Sequence, residues 1–93
     1  MKADQILKAG IDAMKDRAAS RDQPNGERSM GLATTTFNQL TGHCLSETDG
    51  WVFMTILKMA RAQQGGFNMD DYVDMAAYAA LAGESESITR VEE

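Results

Sequence analysis

Five side chains in the second half of this sequence could do chemistry together. Asp70, Asp71 and Asp74 are clustered, and Lys58 and Arg61 stand three apart upstream. Asp74 is the singular residue, an acid inside the apolar run Tyr-Val-Asp-Met-Ala-Ala-Tyr. A carboxylate buried in such a run must be paired or bind a metal. One reading is a salt bridge from Asp74 to Lys58 or Arg61 within helix packing. The other is a carboxylate cluster for Mg²⁺, a hard cation that prefers oxygen ligands and recruits substrate phosphates. Residue types alone leave both open. Glu47 and Asp49 have a complete structural explanation: Ser46 with Asp49 reads as a capping box, and both acids suit the positive end of a helix dipole. His43 and Cys44 are adjacent, with no companions at metal-ligand spacing, so a zinc site or a Cys–His nucleophile pair within one subunit is not expected.

The elements that would position these groups form a helical hairpin. Residues 46–64 and 68–81 read as helices separated by a Gly65-Gly66 break, and both are apolar nearly all the way round, the pattern of helices buried on several sides. Trp51, Met54, Lys58 and Arg61 make one continuous stripe, apolar at its start and basic at its end. Antiparallel helices joined by a short loop bring the end of one beside the start of the next. Lys58 and Arg61 should then reach Asp70, Asp71 and Asp74. Tyr72 and Tyr78, at helical spacing, read more readily as core than as a platform for a base.

Upstream, residues 3–19 form an amphipathic helix with Ile6, Leu7, Ile11 and Met14 facing the core, and Gly10 either weakens it or marks a close helix crossing. Residues 20–28 carry the one proline and a Pro-Asn-Gly turn signature. They read as a polar connection, either solvated or a ligand loop in which Asp22, Glu27 and Arg28 supply the contacts. A helix over 29–40 should present Met30, Ala33, Phe37 and Leu40, despite the mediocre helix formers Thr34, Thr35 and Thr36. Gly42 is its expected C′ residue.

Ninety-three residues make one small all-α domain, with a core over about 3–83 and an acidic tail at 84–93. A chain this short buries only about 60–65% of its unfolded surface. Two helices needing cover on all sides make self-association the natural remedy, with a homo-oligomer burying the hairpin between subunits. The net charge of −5 and the lack of a basic patch argue against duplex nucleic acid. A single cysteine, Cys44, rules out an intrachain disulfide and suits a reducing cytoplasm. No apolar signal-peptide core opens the chain. Lys58, Arg61 and Asp74 interrupt the apolar runs well short of a membrane span. The expected location is the cytoplasm of a bacterial host.

The run Asp49-Gly-Trp-Val-Phe-Met-Thr-Ile-Leu-Lys58-Met-Ala-Arg61, followed by Asp70-Asp-Tyr-Val-Asp74-Met-Ala-Ala-Tyr78-Ala-Ala-Leu, resembles a family of small tailed-phage and prophage proteins catalogued as a domain of unknown function. Asp16-Arg-Ala-Ala, Pro24-Asn-Gly-Glu-Arg-Ser-Met30 and Phe37-Asn38 are similar to its N-terminal half. That family is in turn distantly similar to the all-α, MazG-like NTP pyrophosphatases, helical oligomers that bind Mg²⁺ through an E-x-x-E and an E-x-x-D on successive helices. The resemblance implies that Asp71-x-x-Asp74, or Asp70 with Asp74, is the second motif. Glu47 is followed three residues on by Gly50, which leaves Glu47 and Asp49 in place of the first. Asp49, Asp70, Asp71 and Asp74 would hold the metal, and Lys58 and Arg61 the phosphates. The implied function is nucleotide binding or Mg²⁺-dependent NTP or dNTP pyrophosphohydrolysis. The alternative is a non-catalytic phage accessory protein that binds and inhibits a host protein.

Overall fold

The computed structural model describes residues 1–20 and 29–92, with side chains described for 1–16 and 29–89. The expected ligand loop with Asp22, Glu27 and Arg28 lies outside the described residues. The architecture is all-α: α1 Ala3–Ser20, α2 Ser29–Thr41, α3 Glu47–Ala62 and α4 Met69–Glu92. α3 and α4 form the antiparallel hairpin. α1 packs across α4, and α2 rests on the first turns of α3. No helix among the described residues is long and apolar enough to cross a membrane.

Local chemistry sets the helix ends. Ser46 caps α3 as the sequence predicts: its Oγ accepts the Asp49 N–H at 3.0 Å, and Asp49 Oδ2 accepts the Ser46 N–H at 2.8 Å. Gly42 closes α2 in the left-handed region (φ +78°), donating its N–H to the Asn38 carbonyl at 2.8 Å. Asn38 then pins the connection to α3, its amide donating to the Leu45 carbonyl and its Oδ1 accepting the Leu45 N–H, each at 2.9 Å.

The buried hydrophobic side chains among the described residues are Trp51, Val73, Ala77 and Tyr78. Trp51 of α3 and Tyr78 of α4 stack with ring centroids 5.8 Å apart, so Tyr78 fills the core as expected. Gly10 does mark a close crossing, since a Cβ built there would lie 3.5 Å from the Val73 carbonyl oxygen of α4.

Several faces differ from the sequence reading. In α1 the turn at Gly10 meets α4, which draws Ile6, Ala9, Ala13 and Met14 partly inward and leaves Leu7 and Ile11 exposed. In α2 the inward residue is Thr34, next to Met30, while Ala33, Phe37 and Leu40 are exposed. The cause is Gly50 of α3: its missing Cβ lets Met30 and the Thr34 methyl sit against the helix backbone. The Thr34 hydroxyl is satisfied there, donating to the Met30 and Gly31 carbonyls at 3.1 and 3.2 Å. α4 does not stop at residue 81 but runs through the acidic stretch to Glu92. Gly83 lacks the positive φ that a glycine C-cap uses, and the Thr48 hydroxyl donates to Ser85 Oγ at 2.8 Å, tying the extension to the start of α3. Finally, α3 is not buried all round: Val52, Phe53, Ile56, Leu57 and Met59 are exposed.

Candidate functional site

The mouth of the hairpin is built by how α3 ends and α4 begins. Past Ala62 the chain tightens, the Gln63 and Gln64 N–H groups donating to the Ala60 and Arg61 carbonyls at 3.2 and 3.0 Å. Gly65, at φ +78°, then turns the chain in a conformation that other residues adopt only with strain. Asn68 caps the start of α4: its Oδ1 accepts the Asp70 N–H at 3.0 Å, and its carbonyl accepts the Asp71 N–H at 3.2 Å. With Asn68 in that role, the Asp70 and Asp71 carboxylates are not needed to cap α4.

These elements enclose an open polar pocket of about 440 Å³, lined by Lys58, Arg61, Gln64 and Gly66 on one side and Asn68, Asp70, Asp71 and Asp74 on the other. Five of the residues singled out in the sequence therefore converge. Lys58 Nζ and Asp74 Oδ2 are 2.8 Å apart, with side chains only 15% and 19% exposed. The salt-bridge reading of Asp74 is thus realised, with Lys58 as the partner. Asp70 and Arg61 are exposed, and Asp71 is half-buried. The pair at the pocket floor is internally neutral, so the groups facing an incoming ligand are one guanidinium and two carboxylates.

Asp49 is not part of this assembly. It sits in the capping box of α3, twelve residues before Arg61, a separation of about 18 Å along a helix. Glu47 lies at that same far end, its carboxylate against Gly31 of α2. His43 stacks on Phe37 with centroids 5.9 Å apart, and the Cys44 thiol is exposed. Both belong to the connection before α3, away from the hairpin mouth. Tyr72 stacks on Phe67 at 5.8 Å, both rings exposed. The sequence reading missed Gln64, Gly66 and Asn68 as pocket residues. Their place in the short connection between the two charged helix ends is the signal that would have found them.

The donor set bears on whether a metal fits. Among the described residues no three His, Cys, Asp or Glu side chains are grouped to hold an ion. Asp74 already has Lys58 as partner. The described residues therefore offer no cage for a bare cation. It does match the way Mg²⁺ binds when it arrives with phosphates, keeping several waters and using one or two protein carboxylates. Asp70 and Asp71 line the pocket and are the carboxylates that could serve in that way.

Comparison with curated proteins and with solved structures returned no match to the chain. A family model described as a domain of unknown function (DUF6378) matches residues 5–86, nearly the whole chain, and the protein belongs to that family.

Proposed function

We propose that this protein binds a nucleotide through its phosphates at the mouth of the α3–α4 hairpin, acting as a small phage or prophage accessory protein. The observation that carries the reading is the division of labour in the polar pocket: Lys58 satisfies Asp74, while Arg61, Asp70 and Asp71 remain to meet a ligand. A guanidinium is the side chain suited to bidentate phosphate recognition. Its volume of about 440 Å³ falls in the range of small-molecule sites, roughly 300–1,000 Å³. Two carboxylates beside one guanidinium would repel a bare polyphosphate. Mg²⁺ carried on the phosphates reverses that balance, and its chemistry when bound is to neutralise phosphate charge. Asp70 and Asp71 would hold it, Arg61 would orient the phosphates, and the Gln64 and Asn68 amides would offer further donors. The MazG-like resemblance supports the same substrate class.

Pyrophosphohydrolysis asks for more. A water must be activated by a carboxylate base beside the phosphate chain, and in place of a first E-x-x-E the protomer has Glu47 and Asp49 at the far end of α3. Binding is therefore the activity proposed.

Calorimetric titration of ATP, GTP and the four dNTPs, with and without Mg²⁺, tests it, with pyrophosphate release scored in the same samples. Saturable binding that requires Mg²⁺ and disappears in Arg61→Ala is expected. Absence of binding for every nucleotide at millimolar concentration overturns the proposal. Pyrophosphate release that is lost in Asp70→Asn extends the proposal from a binding protein to an enzyme.

A further inference from the structure

We infer that the outer face of α3 is a subunit interface on which a second copy of this chain lays its own α3, antiparallel, about a two-fold axis. The face is made of two adjacent ridges. Val52, Ile56 and Met59 form one, and Phe53, Leu57 and Ala60 the other; each is spaced 4 then 3, and all six residues are exposed. Phe53 is 65% exposed, Ile56 54% and Met59 52%. Spacing of 4 and 3 is the seam by which one helix packs knobs into the holes of another. No charge interrupts the ridges, and a patch used isologously needs only to be complementary to itself.

The surface area points to the same occupant. The chain exposes 6,814 Å², whereas a compact monomer of 10.2 kDa should expose about 5,300 Å². The excess is about 1,500 Å² per chain, above the roughly 800 Å² per partner that a standard-size interface covers. The radius of gyration of 14.3 Å likewise exceeds the roughly 12 Å of a compact domain of this length. Charge sets the direction. The first turn of α3 carries Glu47 and Asp49 and its last turn carries Arg61. An antiparallel pair sets each acidic end beside the basic end of its neighbour and opposes the two helix dipoles.

Sedimentation equilibrium of the full chain tests the inference, followed by cysteine cross-linking in a Cys44→Ser background. Twice the monomer mass is expected, falling to monomer or to an unfolded chain in Ile56→Glu. Ile56 lies midway along the ridges, near the axis. Ile56→Cys should therefore oxidise to a covalent dimer at least tenfold faster than Leu40→Cys, an exposed position on α2. Val52→Cys mixed with Ala60→Cys should cross-link where neither does alone, and self-cross-linking of each without the mixed product overturns the antiparallel arrangement. A wild-type chain that stays monomeric at 100 µM overturns the inference, as does a dimer in which Ile56→Cys reacts no faster than Leu40→Cys. Capture of a host protein on this face by a monomeric chain overturns the second copy as its occupant. None of these results depends on nucleotide binding at the hairpin mouth, so the two proposals can fail separately.

Discussion

Replacing Lys58 by Met should be the most informative single change to the hairpin. The Lys58–Asp74 pair has its charged atoms 2.8 Å apart, with both side chains more than four-fifths buried. At an effective dielectric of about 20 the attraction is about 6 kcal/mol, and desolvation of both ions takes back several. Breaking an ion pair by removing one partner costs about 3–5 kcal/mol at full burial and almost nothing at the surface. The residual exposure of this pair places the cost of Lys58→Met, or of Asp74→Leu, at about 2–3 kcal/mol. Against a total stability of about 5–14 kcal/mol for a domain of this length, that is a large fraction. The double variant Lys58→Met/Asp74→Leu removes both charges from the helix packing and should recover most of the loss, giving a coupling of about 1–3 kcal/mol. Urea unfolding at one fixed protomer concentration reads all four corners of the cycle. Single variants within 0.5 kcal/mol of wild type, or a double variant as unstable as the sum of the singles, would refute the pairing as a structural element.

The remaining expectations test the packing around the hairpin. Gly50→Ala puts a Cβ against Met30 and within 3.0 Å of the Thr34 methyl. It should cost about 1–3 kcal/mol by overpacking and speed hydrogen exchange in α2 more than in α4. Gly83→Ala meets nothing within 4 Å inside a continuous helix, so it should raise the urea midpoint, by about 1 kcal/mol of stability. Ser46→Ala removes one half of the α3 capping box and should lower stability by about 1 kcal/mol, with the first turn of α3 the first to exchange.

The parts of this fold legible in the sequence are those decided within a few residues. The Ser46–Asp49 box, the Gly42 cap, the hairpin turn and the approach of Lys58 to Asp74 all follow from local spacing, and each is present. What could not be read is what a neighbouring helix decides. α1 and α2 each carry two apolar arcs of similar strength, and the choice between them is made by glycines. Gly10 admits the α4 backbone, and Gly50 admits Met30 and Thr34, so α2 turns a threonine inward and Phe37 outward. The continuation of α4 past residue 81 was not legible, because its tie joins Thr48 to Ser85, far apart in sequence. The all-round apolar character of α3 was legible, but its outer half is covered by no other described residue and stays exposed. In the site, the basic end of α3 and the acidic start of α4 come together as their spacing implied. Asp49 does not, because a straight helix holds it a dozen residues away.

Thermal unfolding with and without Mg²⁺-nucleotide tests the binding claim most directly. A ligand of the native state at a hundredfold its Kd adds about 2.7 kcal/mol, which for a domain of this size raises Tm by about 10–20 °C. The expected result is such a rise in the wild type and its loss in Arg61→Ala, each read against that protein's own ligand-free Tm. No rise at millimolar nucleotide, or an equal rise in Arg61→Ala, would contradict the account.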